Sequence, residues 1–235
     1  MAKTKVDQTV SVGFQGFTPG LGAFFRALTA NNDRDWFLAH KPIYEAEVRQ
    51  PFGALVQALA FAFATQDMPL RGDAKRSLFR IYRDVRFSKD KSPYKTNAGA
   101  VLSRDGTTKG KGILYVQVAG EDGPFLAMGF YRPEPGDLAS IRRAIAAKPE
   151  RWLKTEAALR EGGLELVRGD PLSRLPKGFE GFAGSPVKEV LQQRNIIVSR
   201  PIAEKRLYGP GLIDDVVSFA TSGLPLLEFG WKALT

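Results

Sequence analysis

The sequence predicts an α+β fold in which an antiparallel or mixed sheet of about four to six strands is flanked by helices. Apolar residues recur at helical spacing through the first third of the chain, and short segments rich in β-branched and aromatic residues follow. After the proline and glycine at positions 135 and 136, the helical period returns. With 235 residues the chain can bury a full core. We therefore expect an N-terminal tail over residues 1–16 and a single α+β domain over residues 17–235.

The N-terminal third is predicted to be helical. Thr18 has the side chain of an N-cap residue, and Pro19 then occupies the first helical position, where proline is well tolerated. Asp33 can cap a second helix in the same way. Further helical turns are expected over residues 42–65, interrupted near Pro51. This third of the chain should therefore pack as amphipathic helices.

The middle of the chain is predicted to form the sheet. Its strand candidates are short and are separated by turns that contain glycine or aspartate. The predicted strands cover residues 77–83, 98–102, 113–118 and 125–131. Gly129 lies inside the last of them, which indicates a bulge or a close backbone approach at that point.

The last third is predicted to be mostly helical. Prolines mark the starts of two helices, near positions 135 and 149, that should cover the sheet. Residues 169–186 are rich in glycine and proline, which indicates a long loop. The remaining predicted elements are a short helix over 187–191, a strand over 196–198 and a closing helix from about 210 to 226.

Composition excludes several kinds of site. The chain has no cysteine, so disulfides, thiolate nucleophiles and cysteine metal sites are absent. His40 is the only histidine, which excludes a multi-histidine metal site and favours a packed or surface role for this side chain. The longest apolar run, residues 54–64, is too short to span a bilayer. We expect a soluble, cytoplasmic protein with no metal, no cofactor and no membrane association.

The positive charge is concentrated in residues 75–95, which we call the basic motif. The whole chain carries +9, and the basic motif alone holds eight lysines and arginines against two aspartates, a net charge of +6. The same segment contains aromatic and aliphatic residues that favour burial, which a disordered basic tail would lack. The basic motif is therefore predicted to be a folded, positively charged surface.

The side chains of the basic motif have the chemistry to bind an anion. A guanidinium group matches phosphate or carboxylate oxygens in pairs, and a lysine adds a mobile point charge. Asp84 is the candidate general base, because nearby arginines would keep its carboxylate ionised. Arg80 and Arg83 fall on opposite faces of a regular strand, so Arg80, Arg83 and Arg86 converge only if the strand ends or bulges near Asp84. The predicted ligand-binding residues are Arg80, Tyr82, Arg83, Arg86, Lys91, Tyr94, Lys95 and Asn97.

A family resemblance accompanies this motif. The residues that carry it are the segment 82–95, the upstream Asn31-Asn32 and 35–37, and the downstream Phe130-Tyr131 with Pro133 and Leu138. In these residues the chain resembles the bacterial and fungal family catalogued as domain of unknown function 2461. The similarity runs from about residue 17 to residue 226, and it implies a single domain of that extent and no particular reaction.

Three functional hypotheses use these residues. The first is a cationic pocket, with or without an enzymatic step, that binds a phosphorylated or otherwise anionic small ligand and is recognised by converging side chains. The second is a nucleic-acid-binding module, in which Lys109 and Lys111 extend an open basic stripe and Tyr94 stacks on bases. The third is a non-catalytic scaffold, in which the arginines pair with acids such as Asp84, Asp90 and Glu134.

Overall fold

The computed structural model describes residues 13–235 and has an α+β fold, as the sequence predicts. Its sheet has four antiparallel strands whose spatial order is the order of the chain. The strands are β1 (Ala98–Ser103), β2 (Ile113–Ala119), β3 (Phe125–Phe130) and β4 (Ile196–Pro201). Residues 1–12, most of the expected tail, lie outside the described residues.

Helices precede and follow the first three strands. The α-helices are α1 (Pro19–Ala30), α2 (Arg34–Tyr44), α3 (Gln50–Thr65), α4 (Pro135–Ala147), α5 (Pro149–Glu161), α6 (Lys188–Gln192) and α7 (Gly211–Ala233). Short 3-10 helices cover Glu180–Phe182 and Glu204–Tyr208. Within the described residues, no helix has the length and apolar character that crossing a membrane requires.

The first two helices begin at the predicted caps. The Thr18 hydroxyl oxygen accepts a hydrogen bond from the backbone N–H of Gly20 at 3.0 Å. The Asp33 carboxylate likewise accepts from the N–H of Trp36 at 2.8 Å. Each bond satisfies a backbone donor that has no partner within the first helical turn, which fixes where the helix starts.

A π-helical turn, Glu45–Arg49, joins α2 to α3 without a break. It lies directly before Pro51. In a regular α-helix the ring of Pro51 would clash with the carbonyl group of Glu47, and the missing N–H would leave that carbonyl without its donor. The wider i→i+5 turn relieves this conflict, so the proline changes the helix locally and does not end it.

The prediction of a strand over residues 77–83 is wrong, because this segment changes partner along its length. Leu78 forms an isolated antiparallel bridge with Ala100 in β1, whereas Tyr82 forms one with Tyr94. Neither pairing continues long enough to build a ladder. The strands predicted over 98–102, 113–118, 125–131 and 196–198 are confirmed within a few residues.

Gly129 confirms the close approach that its position in a strand indicates. Its φ angle is +132°, and a Cβ atom added there would lie 2.3 Å from the carbonyl oxygen of Ile196.

Helix α7 continues to Ala233, beyond the predicted end near Leu226, although Pro225 lies inside it. Burial of apolar side chains after Pro225, among them Leu227, outweighs the hydrogen bond lost at the proline.

The chain divides into two compact units. The first contains the described residues up to Thr108, Tyr115–Phe125 and Pro201–Val217. In it Phe17 makes edge contacts with Phe14 and Phe52, at centroid distances of 5.4 and 5.8 Å, so packing begins within the segment expected to be a tail. The second contains Lys109–Leu114, Leu126–Arg200 and Ser218–Thr235, and Trp152 packs there on Phe229 at 5.0 Å. The single domain over 17–235 stays a prediction.

Candidate ligand-binding site

The basic motif forms an irregular hairpin in the first unit. The N–H of Arg83 donates to the carbonyl of Pro93 at 2.9 Å, and the N–H of Lys95 donates to the carbonyl of Ile81 at 2.8 Å. The inner pairing, between Arg83 and Pro93, closes residues 84–92, and we call these residues the motif loop. The hairpin therefore separates the cations of the loop from those of its two arms.

Asp90 organises the motif loop. Its Oδ1 atom accepts from the backbone N–H and the hydroxyl of Ser92, at 2.9 and 2.6 Å, and its Oδ2 atom pairs with the Arg83 guanidinium. The hydrogen bonds from Ser92, with the ion pair to Arg83, hold the pKa of Asp90 far below its usual range. Arg83 also donates to the Ser88 hydroxyl at 3.5 Å. Arg83 is thus engaged by the loop itself.

Arg86 is engaged in the same way, by Asp84. Its Nε atom donates to Oδ1 of Asp84 at 2.9 Å and its Nη2 atom to Oδ2 at 2.7 Å, a two-bond pairing at the surface. The hydrogen bonds from Arg86 lower the pKa of Asp84. Both oxygens of Asp84, the candidate general base, are therefore occupied by a cation. These two arginine–aspartate pairs are what the scaffold interpretation expects.

Lys91 and the tip of the motif loop add no converging charge. Lys91 donates to the carbonyl oxygen of Val85 at 3.0 Å, which closes the loop on itself. Phe87 is 96% exposed, and the Arg86 guanidinium lies 5.8 Å from the centroid of its ring. The motif loop is therefore a self-contained structure held by its own side chains.

Tyr94 is part of the core. Its ring is 3% exposed and stacks on Phe37 at a centroid distance of 4.1 Å. Asn32 fixes its backbone, accepting from the Tyr94 N–H at 3.0 Å and donating to the Tyr94 carbonyl at 2.9 Å. Tyr82 lies beside it, 5.4 Å between centroids, and is half exposed. Burial leaves Tyr94 no face for a nucleic-acid base, which corrects the stacking role expected of it.

Lys95 and Arg80, on the two arms of the hairpin, are cations of a different kind. The Lys95 ammonium lies 5.2 Å from the centroid of the Phe79 ring. Burial lowers the pKa of Lys95, and the nearby charge of Arg80 lowers it further. Among the described residues, neither cation forms a salt bridge or a hydrogen bond through its side chain. The charge of Arg80 does act on Asp84, whose pKa it lowers.

Two amides form a hydrogen-bond network with Tyr115. The Asn97 side chain donates to Oε1 of Gln117 at 3.3 Å, and the same atom accepts from the Tyr115 hydroxyl at 3.0 Å. Gln117 in turn donates to the Gly123 carbonyl at 3.0 Å. Gln117 is buried, so its hydrogen bond fixes the orientation of the Asn97 amide from the interior side.

Three aromatic rings form a row on this surface. Phe79 and Tyr115 are 6.1 Å apart between centroids, and Tyr115 and Phe125 are 5.6 Å apart. Phe79 is 41% exposed, and the other two rings are partly exposed. We call the whole group the aromatic-cationic patch, and its members are Phe79, Arg80, Lys95, Asn97, Tyr115 and Phe125. All six belong to the first unit.

Sequence reasoning identified Arg80, Lys95 and Asn97 in this patch but missed its three rings. Tyr115 alternates with buried Leu114 and Val116 along β2, a signal that its side chain is on the other face of the sheet. No local signal joins Tyr115 to Phe79, because their contact depends on tertiary structure.

Lys111, expected to extend a basic stripe, pairs in the second unit with Asp137 at 2.8 Å.

The described residues contain no group of three or more histidine, cysteine, aspartate or glutamate side chains that could hold a metal ion. The aromatic-cationic patch combines two cations, an amide held in one orientation and three neighbouring rings.

Comparison with known proteins adds the family. Residues 21–229 match the family described as Conserved hypothetical protein (DUF2461). Neither the curated proteins nor the solved structures gave a match. The family match begins within α1, ends within α7 and includes the whole basic motif. The chain therefore belongs to the DUF2461 family of conserved hypothetical proteins.

Proposed function

We propose that the protein binds a phosphorylated or otherwise anionic small ligand at the aromatic-cationic patch. In this proposal Arg80 and Lys95 bind the anionic group, Asn97 orients the ligand, and the rings of Phe79 and Tyr115 support a planar or apolar part of it. The observation that carries the proposal is the pair Arg80 and Lys95, two neighbouring cations that no described carboxylate pairs with directly.

The electrostatics of this pair favour an anion. Lys95 is partly desolvated, and its pKa is lowered by burial and by Arg80, so its charged form is less stable than in water. An anion between the two side chains would offset both effects and would return the pKa of Lys95 toward its usual value. Two other cations of the basic motif, Arg83 and Arg86, already have aspartate partners and would gain less.

This proposal gives the motif loop a supporting role. Arg83, Asp90 and Ser92 hold the loop between the two arms of the hairpin, and the arms position Arg80 and Lys95. Residues of the loop would then affect ligand binding through the geometry of the hairpin.

We propose no reaction for Asp84, because Arg86 occupies both of its oxygens. A cytoplasmic location, which the absence of cysteine favours, stays part of the proposal.

A second candidate function is binding of single-stranded nucleic acid on the same patch. The row of three rings, spaced 6.1 and 5.6 Å apart, favours it, because neighbouring aromatic rings at a protein surface can stack on successive bases. Under this alternative Phe79, and not Tyr94, is the most exposed stacking residue. The two functions differ in how affinity depends on ligand length and on salt.

The test is a thermal-shift and calorimetric screen at fixed ionic strength. Ligands are inorganic phosphate, sugar phosphates, nucleotides and short single-stranded oligonucleotides. Arg80→Gln and Lys95→Met remove one charge each from the patch. Lys89→Gln is the matched control, because Lys89 is an exposed cation of the motif loop outside the patch.

A small phosphorylated ligand should raise the melting temperature of the wild type and of Lys89→Gln with its concentration. Arg80→Gln and Lys95→Met should each weaken binding by about tenfold or more, since a charge-assisted contact is lost. An affinity that grows with oligonucleotide length would favour the nucleic-acid alternative. No stabilisation by any ligand, or an equal response from the patch variants, would overturn the proposal and favour the scaffold.

A further inference from the structure

The first unit contains a second possible binding site, a cavity outside the aromatic-cationic patch. Its volume is about 650 Å³, and its walls come from α1, Thr96, the turn between β2 and β3, and the 3-10 helix Glu204–Tyr208. This volume lies within the range of about 300–1,000 Å³ typical of small-molecule sites. Neither Arg80 nor Lys95 lines the cavity. A ligand here would therefore be separate from the one proposed above.

Charges of both signs meet at one point of the cavity wall. A Cβ atom added at Gly22 would lie 3.1 Å from Nη1 of Arg26 and 3.7 Å from Oε1 of Glu204. Even so, the described residues include no salt-bridge or hydrogen-bond partner for the Arg26 guanidinium. A cation and an anion thus flank the same spot without neutralising each other directly.

The Glu204 carboxylate is held in place by its neighbour. The Tyr208 hydroxyl donates to Oε1 of Glu204 at 2.5 Å, and this hydrogen bond raises the pKa of Tyr208. No described residue donates to Oε2 of Glu204, which leaves that atom available to a ligand. Glu121 adds a second carboxylate to the lining, so acids outnumber bases there. A ligand with only negative charges would be repelled.

The rest of the lining suits an apolar group. Leu21, Phe25 and Leu207 line the cavity together with Pro124. A ligand that satisfies the whole site must therefore offer a carboxylate to Arg26, a cationic donor to Glu204 and an apolar body. Its two charges must also be close together, because the two protein groups approach the same point beside Gly22.

We propose that this cavity binds a small zwitterion of the free α-amino acid class with an apolar side chain. Its carboxylate would pair with the Arg26 guanidinium, its ammonium group with Oε2 of Glu204, and its side chain would contact Leu21 and Phe25. An α-amino acid has its ammonium and carboxylate groups on one carbon, which matches the adjacent charges of the wall. A phosphorylated ligand matches neither the two acids nor the apolar lining.

The glycine at position 22 fits this proposal. Glycine inside a helix costs about 1 kcal/mol relative to alanine, so α1 would be more stable with a side chain there. Any side chain at that position would occupy the space between Arg26 and Glu204. The glycine keeps this space open for a ligand.

The experiment is isothermal titration calorimetry of the full chain with leucine, methionine, valine and phenylalanine as probes. N-acetyl-leucine and leucine amide each lack one of the two charges and test whether both are needed. Arg26→Gln and Glu204→Gln remove the two charged partners, and Gly22→Ala fills the gap without changing charge. Arg143→Gln is the matched control, because Arg143 is an exposed arginine on α4 and does not line the cavity.

At least one probe should bind with a Kd of about 1 mM or tighter to the wild type and to Arg143→Gln. Arg26→Gln, Glu204→Gln and both single-charge derivatives should weaken binding about tenfold or more. Gly22→Ala should weaken it without lowering the melting temperature, which separates a lost site from a lost fold. Arg80→Gln should leave amino-acid binding unchanged, so this proposal and the phosphorylated-ligand proposal fail independently.

Three results would overturn the inference. One is the absence of saturable heat with any probe up to about 10 mM, ten times the weakest affinity expected. Another is unchanged binding in both Arg26→Gln and Glu204→Gln. The third is equal affinity for leucine and for its single-charge derivatives, which would show that the two wall charges do not select a zwitterion.

Discussion

At the scale of single residues, Asn32 ties the first helices to the basic motif. Its amide both accepts from and donates to the backbone of Tyr94, at 3.0 and 2.9 Å, and no other side chain is described as bonding these two groups. The sequence contains Asn31 and Asn32 side by side, and only the folded chain distinguishes them. Asn31 bonds within α1, to the carbonyl of Ala27 at 3.0 Å, and its side chain is exposed.

This difference predicts unequal effects of two adjacent substitutions. Asn32→Ala leaves the N–H and carbonyl of Tyr94 without side-chain partners in a partly buried place, and should lower the free energy of unfolding by about 1–3 kcal/mol. Asn31→Ala removes one exposed bond at a helix end and should lower it by less than about 1 kcal/mol. Urea denaturation followed by circular dichroism measures both values. Equal losses would show that the Tyr94 contact has no special weight.

At the scale of elements, local sequence signals were sufficient to predict an element whose formation depends on its own residues. The caps Thr18 and Asp33 and the prolines at the first positions of α4 and α5 determine helix starts through backbone chemistry within one turn. Residues 77–83 have strand composition, yet their backbone partner changes between Leu78 and Tyr82. Such a change depends on the positions of distant segments, which residue composition does not encode.

The same limit applies to the sites. Arginine–aspartate pairing within the basic motif is local, and one of the sequence-based interpretations anticipated it. The row Phe79, Tyr115 and Phe125 and the cavity beside Arg26 and Glu204 each join segments far apart in the chain. In the sequence these residues have no common spacing, so they look like ordinary strand and helix positions.

Two glycines give a prediction for the elements. Gly129→Ala should destabilise the fold by about 2–4 kcal/mol, because its φ of +132° disfavours a side chain and the new Cβ would meet the Ile196 carbonyl at 2.3 Å. Gly136→Ala, in the first turn of α4 with open space around it, should be neutral or stabilising by up to about 1 kcal/mol. Thermal melting of the two variants checks this contrast. A Gly129→Ala protein as stable as the wild type would contradict the close contact.

At the scale of the whole molecule, the net charge of +9 acts on any polyanion, whichever residues it touches. Binding of nucleic acid in dilute salt is therefore poor evidence for a site. A small ligand at the aromatic-cationic patch involves few charges, whereas an oligonucleotide displaces a counterion for each phosphate that the protein neutralises. The salt dependence of affinity therefore distinguishes binding at a local site from attraction by the net charge of the whole protein.

We expect oligonucleotide affinity to fall by more than about tenfold between about 50 and 200 mM salt, and affinity for a small phosphorylated ligand to fall by less. Fluorescence anisotropy with labelled oligonucleotide, and calorimetry for the small ligand, provide the two slopes. Lys89→Gln should change the first slope as much as Arg80→Gln does if only overall charge matters. An equal salt dependence for both ligands would contradict a local site at the patch.

The π-helical turn Glu45–Arg49 has a consequence for how this family can vary in length. An i→i+5 turn takes up one more residue than an α-helical turn, while the helices before and after it keep their own packing. A relative that is one residue shorter between Tyr44 and Gln50, and that has no proline at the position of Pro51, could continue as an unbroken α-helix, with the buried positions of α2 and α3 unchanged. Alignments of family members should therefore place a single-residue gap here, in the middle of a helix, and not move it into a neighbouring loop.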